Sequence, residues 1–324
     1  MAGGGTETAA NGLLATSVRL TRPTGVAVAP DGTVWIVDSS NFVMHINADG
    51  TISDLSGGLT NPEGAAAGSD GTVYVADRGA YRIASPNGNG GTVSFAGIQF
   101  LAGFNGDGRL ATRTRLWLPY DVATDDAGNV YIADTGNARI RVVDAETLKV
   151  QTIAGTGTSG FSGDGGPALE AQISDSRALA VDPGATKVFI ADYQNSRVRQ
   201  VDMATGLMTT VAGNGGGVVA YNPALTGVQT PLTHLLALAV DGQGNAYIPV
   251  FYSDLGLVIM RLDSTGAMTR IAGGGQLTQA GMSPFDLKLA DVYGLAVDNA
   301  FGDLYICTSD GRVLRVPQAA STLP

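Results

Sequence analysis

The residues able to do chemistry are few. Two histidines, His45 and His234, and one cysteine, Cys307, stand among 29 acidic and 19 basic side chains in 324 residues. A Ser-His-Asp hydrolase needs a histidine beside a serine on an exposed elbow, and no G-x-S-x-G occurs. Two histidines supply little for a histidine-rich metal centre, and one cysteine closes no intrachain disulfide. Cys307 ends an apolar run among Tyr305, Ile306 and Thr308, the setting of a buried, inert thiol. The stretches Phe104-Asn105-Gly106-Asp107-Gly108 and Phe161-Ser162-Gly163-Asp164-Gly165-Gly166 offer oxygens to a hard cation, but each has one carboxylate. Turns in which the Asp caps its own backbone are expected there instead. No catalytic set, metal site or cofactor is predicted.

Three further charge pairs keep one spacing: Asp77 with Arg82, Asp134 with Arg139, and Asp192 with Arg197. Their regularity points to the elements that carry them. Within Leu118–Gly155, short alternating apolar runs at 121–124, 130–133, 140–143 and 150–154 are separated by Gly, Asp and Asn turns. Four short strands in about forty residues form one propeller blade, which must be covered by neighbours. The slot opening the first strand recurs as Gly25, Gly64, Asp121, Ala178, Ala237 and Gly294, so six blades are expected. In each pair the acid ends the second strand and the base enters the third. Partly exposed cross-strand pairs of this kind contribute about 0.2 to 1 kcal/mol, so Asp134→Asn is expected to cost no more than about 1 kcal/mol.

The predicted fold is all-β: a six-bladed β-propeller of four-stranded antiparallel blades in a single domain over 1–324. The blades are read as 21–57, 58–97, 117–155, 174–213, 233–273 and 290–317. Gly-rich links follow the TIAG-like ends at Thr152, Thr210 and Arg270 and are expected to form loops on one face. The sixth unit lacks a fourth strand after Val316. The β-like run 13–20, LLATSVRL, is therefore expected to close the ring as a clasp, removing an exposed edge.

GVAVD-like first strands, NVYIADTGNARIRVVD, TIAGTGTSGFSGDGGPALEAQI and VFIADYQNSRVRQVD resemble NHL-repeat β-propellers across nearly the whole chain. The match weakens in blades one, five and six: Asp38 has no Arg five residues on, and Val250 and Thr308 replace the Asp. The family includes protein-binding and RNA-binding modules, extracellular proteins and a few lyases, so the resemblance implies a fold more than a function. Its amidating-lyase branch uses several histidines on a central metal, whereas His45 falls on a third strand, away from the axis.

Repetition breaks just before the first strand, where the chain nears the axis. That slot holds Thr24, Glu63, Tyr120, Arg177, Leu236 and Tyr293, with His234 two residues ahead of Leu236. Glu63, Tyr120, Arg177, His234 and Tyr293 are therefore the candidate ligand-binding residues, at a concave mouth with aromatic and ionisable groups. The plain alternative is a plugged channel in which Glu63 and Arg177 pair with each other or with water. The expected function is a non-catalytic binding or scaffold module whose loop-bearing face holds a protein or a polar ligand such as a glycan. The alternative is a metal-dependent lactonase or lyase with its site at the mouth. Glu63 with Asn61 matches part of the Glu, Asn and Asp set that a lactonase resemblance implies, while Tyr, Arg, Leu and Tyr fill the other slots.

A net charge of -10 repels phosphate backbones and anionic lipid, so no nucleic-acid partner is expected. No stretch reaches the roughly 18 apolar residues of a membrane span, so no membrane insertion is expected either. The isolated domain is expected to be monomeric. The N-terminus has no signal-peptide pattern; compartment stays open, extracellular if such a peptide has been removed.

Overall fold

A computed structural model describes residues 1–276 and 283–317. Six antiparallel sheets follow one another along the chain. Their innermost strands are Pro23–Val28, Pro62–Ala67, Pro119–Thr124, Ser176–Val181, Ala239–Val240 and Val292–Asp298. Each runs beside a second strand of small and β-branched residues, such as Val73–Asp77 and Val130–Asp134, buried at every position. Apolar faces so regular find cover in the neighbouring blade. One apolar cluster fills each junction, as where Val37 and Val43 of blade one meet Leu59, Val73 and Val75 of blade two.

The second-strand Asp ties the chain down where it enters the first strand of the same blade. Asp38, Asp77, Asp134 and Asp192 accept the backbone N–H of Arg22, Thr60, Trp117 and Ser174 at 2.6–3.0 Å. After Thr60, Trp117 and Ser174, the next residues Asn61, Leu118 and Asp175 adopt left-handed φ of 49–56°, turning the chain to the axis, and His234 does the same at 63° in blade five. These bonds satisfy buried donors that would otherwise cost about 1 to 3 kcal/mol each.

The charge pairs differ from expectation in two of three blades. Arg82 does bond Asp77, at 2.9 Å. Arg139 and Arg197 stand opposite Asp134 and Asp192 in the ladder. Their guanidinium groups nevertheless bond carbonyl oxygens of Asn137 and Thr156, and of Asn195 and Asn214. The partners are Arg141 and Arg199, two residues on and fully buried, at 3.3 and 3.4 Å. The reason lies in the links. Asp107 reaches Arg141 and Asp164 reaches Arg199, each at 2.9 Å, so these aspartates neutralise buried guanidinium groups instead of capping their own turns. Phe104 and Phe161 then pack under both arginines of their blades.

An N-terminal strand does close blade six, but it is Ala2–Gly3, antiparallel to Val313 and Arg312. Residues 13–20 contribute only isolated bridges, Leu14 to Thr51 and Val18 to Glu7. They are a copy of an interblade link: LLATSVRLTRP aligns with RLATRTRLWLP at 109–119. The N–H of Gly3 bonds Ala15 O just as Gly97, Gly155 and Gly213 bond Ala111, Ala168 and Gly227, all at 2.9–3.0 Å. Leu20 and Val18 are buried under blade one, so the run packs where the other links pack.

A candidate binding mouth on the channel axis

The predicted slot converges as expected on the loop-bearing face. Thr24, Glu63, Tyr120, Arg177, Leu236 and Tyr293 line one small cavity of about 20 Å³, room for a single water. Glu63 is only 5% exposed. Among the described residues no hydrogen bond or ion pair reaches its carboxylate. Burial holds its carboxyl above the ordinary range, against the pull of Arg22, Arg78 and Arg177.

Arg177 pairs with Asp175, Nε to Oδ2 at 2.9 Å, and not with Glu63. Its guanidinium lies 3.8 Å from the Tyr193 ring centre and 5.6 Å from that of Tyr120. Arg78 lies 5.4 Å from Tyr120, and Arg22 5.1 Å from Tyr293. The Nε atoms of Arg22 and Arg78 are buried without a partner among the described residues. Tyr120 stays a neutral donor, its phenol pushed up to about 12 by burial and by Glu63. His234 stands apart. Its ring packs on Phe251 at 5.3 Å, and Leu236 to Leu238 form the cavity wall in that blade.

Arg22 and Arg78 were not among the residues expected here. Arg22 lies two residues ahead of Thr24, in the position that His234 holds in blade five, while the signal for Arg78 lies in a second asymmetric slot, directly after the second strand: Ser39, Arg78, Thr135, Tyr193, Phe251 and Ser309. Tyr193 touches Arg177, Thr135 bonds Ser176 O at 2.6 Å, and Phe251 touches His234, so this slot also faces the mouth.

Below Glu63, the Asp121 carboxylate lines the same cavity. Its oxygens accept the N–H of Val122 and, across the blade junction, of Leu179, at 2.9 and 2.8 Å. Burial raises this carboxyl to about 7, with Glu63 adding to the shift. A Cβ on Gly64 would lie 1.8 Å from Asp121 Oδ1, so only glycine admits the contact. The divalent-cation set of a lactonase does not fit this donor arrangement. Glu63 faces three guanidinium groups, and Asp121 is held by two amides. His45 lies on a third strand, stacked on Trp35 at 5.0 Å, and Cys307 is fully buried with its thiol pushed up.

The NHL repeat family model matches residues 20–42 and 116–143, which hold the entry and first strands of blades one and three. The chain is a six-bladed β-propeller that carries NHL repeats. Protein SUPPRESSOR OF QUENCHING 1, chloroplastic, from Arabidopsis thaliana is 34% identical over 117 residues, covering 36% of this propeller and 11% of that protein. A gluconolactonase from Xanthomonas campestris superposes with a TM-score of 0.60 at 12% identity, over 92% of this chain and 86% of its own. An auxiliary nutrient binding protein from Bacteroides thetaiotaomicron gives 0.64 at 12%, over 91% and 68%. Virginiamycin B lyase from Staphylococcus aureus gives 0.52 at 15%, over 92% and 84%. At these identities the likeness is one of fold. Among the described residues no helix is long and apolar enough to cross a membrane.

Proposed function

We propose that this propeller is a non-catalytic binding module whose axial mouth takes a polar ligand or protein segment carrying an anionic group. The observation that carries this reading is Glu63, a buried carboxylate without a direct partner, ringed by Arg22, Arg78 and Arg177. In the free protein those guanidinium groups rest on Tyr120, Tyr193 and Tyr293. An incoming carboxylate would take the arginine N–H groups, a ligand hydroxyl or amide would donate to Glu63, and the tyrosines would supply flat surface. An acidic glycan has this combination. Superposable folds include both a nutrient-binding protein and enzymes, so fold alone favours neither class.

Calorimetric titration with oligogalacturonate, against the neutral oligoglucose of equal length, tests the reading. Binding of the acidic probe alone is expected. Replacing Arg177 and Tyr120 together by Ala should leave the fold intact and weaken binding by about 2 kcal/mol or more, as central anchors do. Equal binding by the double variant would move the site to the outer loops.

A second reading, an enzyme working at the same mouth, draws on Asp121. A carboxyl near pH 7 beside a second acid is poised for proton transfer. Turnover of a lactone or ester that Asp121→Asn abolishes would establish it in place of simple binding.

A further inference from the structure

The channel has a second opening on the opposite face, and it is the larger one. Between the hairpins that join first and second strands, the innermost strands enclose a cavity of about 570 Å³. Small-molecule sites span about 300 to 1,000 Å³. The width comes from alanine. All six innermost strands place one at the same position, Ala27, Ala66, Ala123, Ala180, Ala239 and Ala296, and blade two adds Ala65 and Ala67. Val26, Ala65, Leu238 and Leu295 line both this cavity and the one at the mouth, so they form the apolar wall between them. The result is a blind well of mixed lining, with alanine methyl groups along its wall and polar groups towards its rim.

Its rim is acidic. Asp125 and Asp298 are buried and take up their carboxylates on local donors, Asn129 and Tyr131 in one case, the amides of Ala300 and Phe301 in the other. Asp126 lines the same rim and is exposed, and among the described residues no hydrogen bond or ion pair reaches its carboxylate. The antiparallel order of each blade puts the turns between third and fourth strands on this face too. Asp31, Asp70, Asp144, Asp202 and Asp263 occupy turns of both kinds, each bonded by a threonine two or three residues on. Those bonds hold the carboxyls below their usual range, so the face stays anionic at neutral and mildly acidic pH. The turns account for the aspartates locally. They do not neutralise the field, which draws cations towards the well.

We propose that this well binds a small organic cation with an apolar body, its hydrocarbon part against the alanine wall and its charge beside Asp126. Size, wall chemistry and rim charge agree on that class, and the site is separate from the mouth on the other face.

Decyltrimethylammonium below its aggregation concentration is the probe, with decyl glucoside and decyl sulfate as neutral and anionic counterparts, measured by calorimetry on the full chain. One-to-one binding of the cation is expected, with the sulfate about tenfold weaker or more. Ala67→Phe, which fills the well, should weaken the cation about tenfold or more at unchanged melting temperature. Should that variant unfold, Ala296→Phe in another part of the wall replaces it. Asp126→Asn should weaken the cation about threefold or more and leave the glucoside unaffected. Equal affinity for cation and sulfate, binding indifferent to both wall variants, or no binding of the cation would overturn the proposal. Binding of a lysine-rich peptide that ignores Ala67→Phe, with no cation binding, would assign the face to charge alone and overturn it as well.

Discussion

Asp134 is fully buried and holds three donors at once: the Trp117 N–H at 2.8 Å, the Asn137 amide and the Arg141 guanidinium. Burial outweighs them and raises its carboxyl to about 6. Asp134→Asn removes the charge facing a buried arginine and puts an amide donor against the Trp117 N–H or the Asn137 amide. A loss of about 2 to 4 kcal/mol is expected in urea unfolding, well above the cost of an exposed pair. Arg139→Ala, whose guanidinium meets two carbonyl oxygens and the face of Phe104 but no carboxylate, should cost about 1 kcal/mol in the same measurement, less than Asp134→Asn. Asp121 makes a pH prediction. Its carboxyl titrates near 7 in the fold and near 3.9 unfolded, so below pH 4 both states hold the proton. As pH rises from 4 to 7 the unfolded chain ionises first, and this group's contribution to stability is lost. The difference in stability between wild type and Asp121→Asn should therefore change across that window, against the native protein at the higher pH; a pH-independent difference would mean that the carboxyl is ionised throughout.

At the scale of elements, Gly3 marks the closing strand. It has φ of 78°, and a Cβ there would lie 2.0 Å from Gly311 O. The glycines ending the TIAG-like strands share this geometry, Gly155 at φ 93° with Ala138 O 2.3 Å away and Gly213 at 91° with Ser196 O 2.3 Å away. Gly3→Val should lower the melting temperature by several degrees, because it opens blade six where the ring closes. An unchanged value would mean that the ring is held without this strand. Six blades, their strand order and the mouth slot were legible because period-two runs and turn residues recur in register. The closing strand was not, since two residues carry no period. What identifies it is the text Met1-Ala2-Gly3-Gly4-Gly5 beside Ile271-Ala272-Gly273-Gly274-Gly275. The arginine partners escaped for another reason. Which guanidinium turns inward depends on Asp107 and Asp164, which arrive from links about 35 residues upstream, and spacing along one hairpin does not encode that contact.

The whole molecule is a disc with two unlike openings on one axis. Arginines and tyrosines gather at one, alanines and aspartates at the other, and Val26, Ala65, Leu238 and Leu295 lie between. Strands closed into a ring on all sides leave little freedom for one opening to respond to the other, because each innermost strand is pinned by both neighbouring blades. Coupling between sites requires that a ligand at one change the conformational balance at the other. Here the elements between the openings are buried strands packed at every blade junction. Occupancy of the mouth by an acidic oligosaccharide should therefore alter the affinity of the well for decyltrimethylammonium by less than about twofold, because the wall they share is held rigid by both neighbouring blades. Titration of the cation into protein saturated with the oligosaccharide measures this. A larger change would show that the two openings report on each other through the wall of apolar residues, and Leu238→Ala, which thins that wall, would then be expected to alter the coupling.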